Sequence, residues 1–172
     1  SLMAGYGLPK EQHLSVVLQN SLKLEGYSIE IMNGSVSGST SAGGLNIAEW
    51  TLSENNIDLM ILCLGANDML RGISPKETKN NLEEIIKIAK SKNIKVIIAG
   101  MISPTSYGFS YKNSFDKIFS DLSKKHKLQL IPFLLEGVAQ KPEFNLSDGM
   151  HPNDQGTIII GNTLKNAILE NL

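Results

Sequence analysis

Apolar residues recur along the chain in two alternating patterns, one at helical spacing and one in short unbroken runs. Across residues 9–25, Leu14, Val17, Leu18, Leu22 and Leu24 fall at helical spacing, and Gly26 stops the helix. SIEIM at 28–32 then reads as a short strand. A Gly/Ser-rich loop, NGSVSGSTSAGG at 33–44, leads into a helix over 45–54. Residues 57–65, IDLMILCLG, form a run that is apolar except at Asp58, the pattern of a strand buried on both faces. Ser74 with Glu77 three residues later forms a capping box, and Pro75 takes the first helical position. That helix presents Leu82, Ile85, Ile86 and Ala89 and ends near Asn93. KVIIAGMI at 95–102 is a second fully apolar strand, followed by the loop SPTSYGFS and a helix with the stripe Phe115, Ile118, Phe119 and Leu122. LQLIPF at 128–133 is the last strand, closed by Pro132, and a terminal helix carries Ile158, Leu164, Ile168 and Leu169.

Four strands interleaved with helices predict parallel pairing through right-handed crossovers. The expected architecture is α/β, a three-layer α/β/α sandwich. No repeat, low-complexity tract or linker interrupts the alternation, so residues 1–172 read as one domain. A chain of this length buries about two-thirds of the surface its unfolded form exposes.

Composition narrows the function classes. Sixteen basic residues against seventeen acidic ones give a formal net charge of −1, which leaves no electrostatic footprint for nucleic acid. One cysteine excludes an intramolecular disulfide framework and any CxxC metal site. The longest apolar stretch, near residues 59–66, falls far short of the ~18 residues of a membrane span. The sequence opens on SLMAGYGL without a signal peptide, so compartment is not legible, cytoplasmic and exported both standing open.

In an open parallel sheet, ligands sit beyond the carboxyl ends of the strands. That rule selects the loops at 33–44, 65–72, 101–110 and 134–151. Asn67 and Asp68 follow one buried strand, and Asp148 and His151 precede the terminal helix. A carboxylate three residues from an imidazole can bond Nδ1, fix the tautomer and leave Nε2 as a general base. Pro152 holds His151 extended. The competing reading of Asp148 is a helix cap beside a surface histidine. His13 and His126 read as solvated residues on polar helix faces, and Cys63 as a small buried hydrophobe. No GxSxG elbow is present, and the serines are too numerous for spacing to select a nucleophile.

SLMAGYGL at 1–8, NGSVSGSTSAGGL at 33–45, LGANDMLRG at 64–72 and DGMHPN at 148–153 resemble, in order, the four consensus blocks of the SGNH, or GDSL, hydrolases. SPTSYG and IPFLLEGV are most similar to the arylesterase, acyl-thioesterase and lysophospholipase branch. The resemblance implies a flavodoxin-like sandwich and a serine hydrolase of small acyl esters or thioesters that requires no metal or organic cofactor. It implies Ser1 as nucleophile, His151 as base and Asp148 as its orienting carboxylate. The oxyanion donors would be the backbone N of Ser1, Gly38 N–H and the Asn67 side-chain amide. Leu70, Ile102, Pro104 and Tyr107 are candidate acyl-pocket residues, against the alternative that they merely pack their loops.

In that family the nucleophile follows a first, central strand and a Gly-Asp pair. The sequence here begins at the serine, so the expected sheet lacks its middle strand and leaves its neighbours' backbone groups unpaired. Rearrangement or self-association with a second chain is expected to fill that gap. Restoring the strand upstream is expected to raise melting temperature and turnover. Two origins stand open for Ser1 and Leu2 ahead of Met3: native sequence, or vector residues that recreate Ser-Leu.

Two other functions remain. A flavodoxin-like module could cradle phosphate or flavin in the 34–44 loop, although no GxxxxGK[ST] motif is present and Asp148 and His151 would have no task. A catalytically inactive family member is the other. An N-terminal serine also evokes the N-terminal nucleophile hydrolases, but their four-layer architecture does not match this alternation.

Overall fold

The computed structural model describes residues 1–172 except Glu54 and Asn55. These residues form two compact units, Ser1–Ser37 with Leu134–Leu172, and Gly38–Phe133.

The Gly38–Phe133 unit holds the sheet. Strands β1 (Leu59–Leu62), β2 (Lys95–Ala99) and β3 (Gln129–Ile131) pair in parallel in the order β1-β2-β3, with Ile61 opposite Ile97 and Ile98 opposite Leu130. The α/β class and parallel sheet are therefore as the alternation implies. Burial follows position in the ladder. Central β2 buries Val96, Ile97, Ile98 and Ala99, whereas edge strand β1 fully buries only Leu62. The apolar run at 57–65 is thus a half-covered edge strand and not one buried on both faces.

Helices α2 (Ser41–Thr51), α3 (Ala66–Leu70), α4 (Pro75–Ser91) and α5 (Phe109–His126) complete this unit. The helix expected over 45–54 begins four residues earlier, because Thr40 caps it through its hydroxyl to Gly43 N–H; its expected end at Glu54 lies outside the described residues. The expected capping box at α4 does not form. The Ser74 hydroxyl makes no cap bond, and the proline at the first position removes one of the N–H groups that need a partner. The Ser74 carbonyl instead accepts from both the backbone N–H and the hydroxyl of Thr78. The stripes of α4 and α5 are buried as their spacing requires, and α4 packs against α2 and α5. Along α5, Tyr111 stacks on Phe115, and Phe115 meets Phe119 edge-on at 5.6 Å.

The other unit pairs α1 (Leu14–Leu24) with α6 (Asp154–Leu169). The continuous helix expected from residue 9 is broken at His13, which is extended (φ −61°, ψ 141°) behind a short 3-10 turn, Lys10–Gln12. Leu14, Leu18 and Leu22 are buried, but Leu24 is 89% exposed. Two residues past Leu22 lie about 200° further round a helix, on the opposite face. Gly26 (φ +90°) ends α1 in a Schellman turn, with Tyr27 N–H donating to Leu22 O and Gly26 N–H to Lys23 O. In α6, Ile160, Leu164, Ala167 and Ile168 are buried, while Ile158 is exposed on the outer face.

The strand expected at 28–32 is absent. The segment carries no regular secondary structure and belongs to no ladder. Ile31 N–H donates to the Gln19 side-chain oxygen at 2.8 Å, so a side chain supplies what a neighbouring strand would. Alternating apolar residues without a partner strand form no sheet.

Candidate active site

The Leu134–Leu172 segment builds a tight loop ahead of α6. Asn145 and Pro152 form an isolated antiparallel bridge, Leu146 N–H donates to His151 O at 2.7 Å, and Asn153 N–H donates to Phe144 O at 3.0 Å. The Asn145 amide, almost fully buried, donates to Val138 O and Lys141 O, each at 2.8 Å. Asn153 caps α6 by accepting from Gly156 N–H at 3.0 Å. Asp148 is therefore not the helix cap, and its carboxylate serves the loop.

One Asp148 oxygen accepts from Met150 N–H (2.9 Å) and His151 N–H (3.0 Å), and the other meets His151 Nδ1 at 2.7 Å. A carboxylate only accepts, so Nδ1 carries the proton and Nε2 is left as acceptor. Nε2 lies 2.9 Å from Ser1 Oγ, so the serine hydroxyl donates to it. The hydrogen bonds from His151 N–H, the His151 ring and Met150 N–H hold the Asp148 pKa down, at about 2. Of the residues selected from sequence, Ser1, His151 and Asp148 thus lie in one hydrogen-bonded line. Ring to ring, Tyr6 sits 4.5 Å from His151, a contact that no spacing in the sequence announces.

The remaining histidines differ from their expected role as solvated bystanders. His13 Nε2 bonds Leu8 O at 3.1 Å, and His126, with a side chain 13% exposed, bonds Glu83 Oε1 at 2.9 Å. Polar neighbours in sequence suggested exposure, but each ring is held by a partner brought in by the fold. Lys125 and His126 lower the Glu83 pKa. Cys63 is half-buried and not fully buried as expected, but desolvation pushes its thiol up to about 12 and away from nucleophilic use.

In the Gly38–Phe133 unit, Gly38 and Asn67 belong to one hydrogen-bonded cluster. The Asn67 amide donates to Ser39 O at 3.0 Å, and Arg71 Nη2 donates to Gly38 O at 2.9 Å. Gly38 has φ +77°. Beneath this cluster, Asp68 is fully buried and accepts from Ser41 N–H (2.7 Å), the Ser41 hydroxyl and the Thr78 hydroxyl (3.1 Å). Asn81 donates to Ser41 Oγ at 3.0 Å. The sequence placed Asp68 in a catalytic loop, but it is the anchor of that loop, and partners 27 and 10 residues away in sequence carry no local signal.

Leu70, Ile102, Pro104 and Tyr107 are all exposed in this unit. Buried Ser103 fixes the loop bearing the last three: its N–H donates to Asp116 at 2.8 Å, and its carbonyl accepts from Lys112 Nζ at 2.7 Å. The Tyr111 hydroxyl donates to Ile73 O at 2.8 Å, and burial raises its pKa. Lys112 and Asp116 escaped the sequence reading, although their i,i+4 spacing was visible. Among the described residues, no three His, Cys, Asp or Glu side chains cluster as metal ligands, and no helix is long and apolar enough to cross a membrane.

Residues 1–157 match the family model of the GDSL-like lipase/acylhydrolase family. The chain belongs to that family. An arylesterase of Vibrio mimicus is 37% identical over 155 residues, 90% of this chain and 78% of that protein. The thioesterase 1/protease 1/lysophospholipase L1 of Escherichia coli K12 is 31% identical, over 89% of this chain and 72% of its own. The crystal structure of TesA superposes with a TM-score of 0.94 at 32% identity, covering 100% of this chain and 96% of that one. The GDSL-like assignment agrees with the four sequence blocks and with their order.

Proposed function

We propose that this protein hydrolyses carboxylic esters or thioesters of small acyl groups through an acyl-enzyme on Ser1. The ester-hydrolase class follows from the family. The activities in the names of its relatives, those of an arylesterase and a thioesterase, mark out the substrate field. The observation that carries the residue assignment is the line of hydrogen bonds from Ser1 Oγ to His151 Nε2 (2.9 Å) and from His151 Nδ1 to Asp148 (2.7 Å).

Ser1 Oγ attacks the acyl carbonyl while His151 Nε2 takes its proton, and Asp148 stabilises the imidazolium that forms. The same imidazolium returns the proton to the departing alcohol or thiol. Water, deprotonated by His151, then attacks the acyl-enzyme and releases the acid. Gly38 N–H and the Asn67 amide, with the backbone N of Ser1, carry the role of donors to the tetrahedral oxyanion. The bond from Asn67 to Ser39 O supports that role, because it holds the amide in one orientation before reaction. Leu70, Ile102, Pro104 and Tyr107 are proposed to line the acyl-binding surface, and their exposure supports this over loop packing.

Turnover of a chromogenic short-chain acyl ester tests the reading. His151→Ala and Ser1→Ala should each abolish turnover above background, and Asn67→Ala should lower kcat by about 10²–10³. Wild-type turnover that persists in His151→Ala would overturn the assignment.

A further inference from the structure

We infer that Tyr6 is a positioning residue for His151, a ring laid on the imidazole face to hold the base in register with Ser1. The inference rests on the reading of Ser1, His151 and Asp148 as the hydrolytic triad, and it adds a residue that the four-block pattern does not assign.

Bonds at Nδ1 and Nε2 hold the imidazole at two edges. The two edge bonds and the Cβ–Cγ bond leave the ring free only to swing by rotation of its side-chain torsions, and a ring packed against it narrows that swing. Tyr6 supplies one, with ring centroids 4.5 Å apart and planes inclined by 38°. Its backbone ties the same turn to the nucleophile, since Tyr6 N–H donates to Ser1 O at 3.2 Å.

The turn that presents Tyr6 is tightly specified. Gly5 and Gly7 both have φ +75°, a conformation that L side chains rarely adopt. A Cβ at Gly5 would lie 2.2 Å from the His13 ring, and one at Gly7 would lie 2.6 Å from Leu146 Cδ1. His13 in turn bonds Leu8 O, and Leu8 N–H donates to Gly5 O. Two glycines and a histidine therefore fix a tyrosine that remains 54% exposed. Core packing does not account for an aromatic ring so placed, whereas holding the imidazole does. No hydrogen bond of the Tyr6 hydroxyl is found among the described residues, so the ring and not the hydroxyl carries the effect.

The test compares wild type with Tyr6→Leu and Tyr6→Phe, with melting temperature measured to confirm folding. In proton NMR, the His151 ring signals should show a ring-current displacement in wild type and Tyr6→Phe that is lost in Tyr6→Leu. Tyr6→Leu should lose about tenfold in kcat, with KM changed by less than about twofold, as expected for a misaligned base. Tyr6→Phe should restore kcat to within about twofold of wild type. Unchanged kcat in Tyr6→Leu, a loss confined to KM, or failure of phenylalanine to rescue would each overturn the inference. A phosphonate ester that labels active-site serines separates the two levels. No labelling of Ser1 in wild type sinks the triad reading and this inference with it; equal labelling rates in wild type and Tyr6→Leu sink this inference alone.

Discussion

Asp148 shows how one side chain divides its work. One oxygen fastens the loop backbone at residues 150 and 151, and the other fixes the tautomer of His151. Asp148→Asn keeps the shape but can present an N–H to Nδ1 and favour the wrong tautomer. Its kcat is expected to fall by about 10⁴, with the fold unchanged by circular dichroism. The same bonds place the folded pKa at about 2, below the ordinary 3.8. A carboxyl group depressed on folding stabilises the native loop above its unfolded pKa and loses that contribution as pH falls through the folded value. An NMR titration of the Asp148 carboxyl carbon should therefore show its midpoint near 2, and a midpoint near 4 would mean that the bonds are not formed in solution. The spacing of Asp148, His151 and Pro152 was enough to nominate the pair from sequence. Tyr6 was not nominated, because its meaning depends on a ring 145 residues away.

Secondary elements hold these residues through their ends more than through their lengths. The loop before α6 reaches its position because Gly156 passes so close to Phe144 that an added Cβ would lie 2.2 Å from the Phe144 carbonyl oxygen. Gly156→Ala must push apart the helix start and the segment paired with it, and backbone cannot rotate away as a side chain can. A lower melting temperature is expected together with loss of turnover, while the nearby exposed substitution Ile158→Ala should affect neither. In the Gly38–Phe133 unit, the start of α4 meets α2 through Asp68. Thr78→Val removes one of the donors to that buried carboxyl group at nearly constant volume. It should cost about 1–3 kcal/mol in denaturant unfolding. The stripes of α4 and α5 were legible because their partners lie three and four residues apart on one helix. The capping box at Ser74 was legible and wrong, since sequence shows which residues can cap but not which hydrogen bonds the tertiary setting leaves open.

Taken as a molecule, each unit has its own apolar interior: Leu14, Leu18, Leu22, Ile160 and Leu164 in one, Ile97, Ile98, Phe115 and Leu122 in the other. Leu22→Ala and Ile97→Ala should each cost about 2–5 kcal/mol in denaturant unfolding, because both side chains are fully buried and leave cavities. Leu24→Ala, on the outer face of α1, should change stability by less than about 0.5 kcal/mol. The three paired strands, the longer helices between them, the parallel class and the family were readable from the chain, because periodicity and motif blocks are local properties. What periodicity could not supply was partnership. Residues 28–32 have strand-like letters but no ladder, and β1 has the letters of a central strand but stands at an edge. His126 looks solvated and Asp68 looks catalytic in sequence, yet the folded chain brings each the partners that hold it. Burial and hydrogen bonding depend on which distant segment arrives alongside, and that is settled by packing in three dimensions.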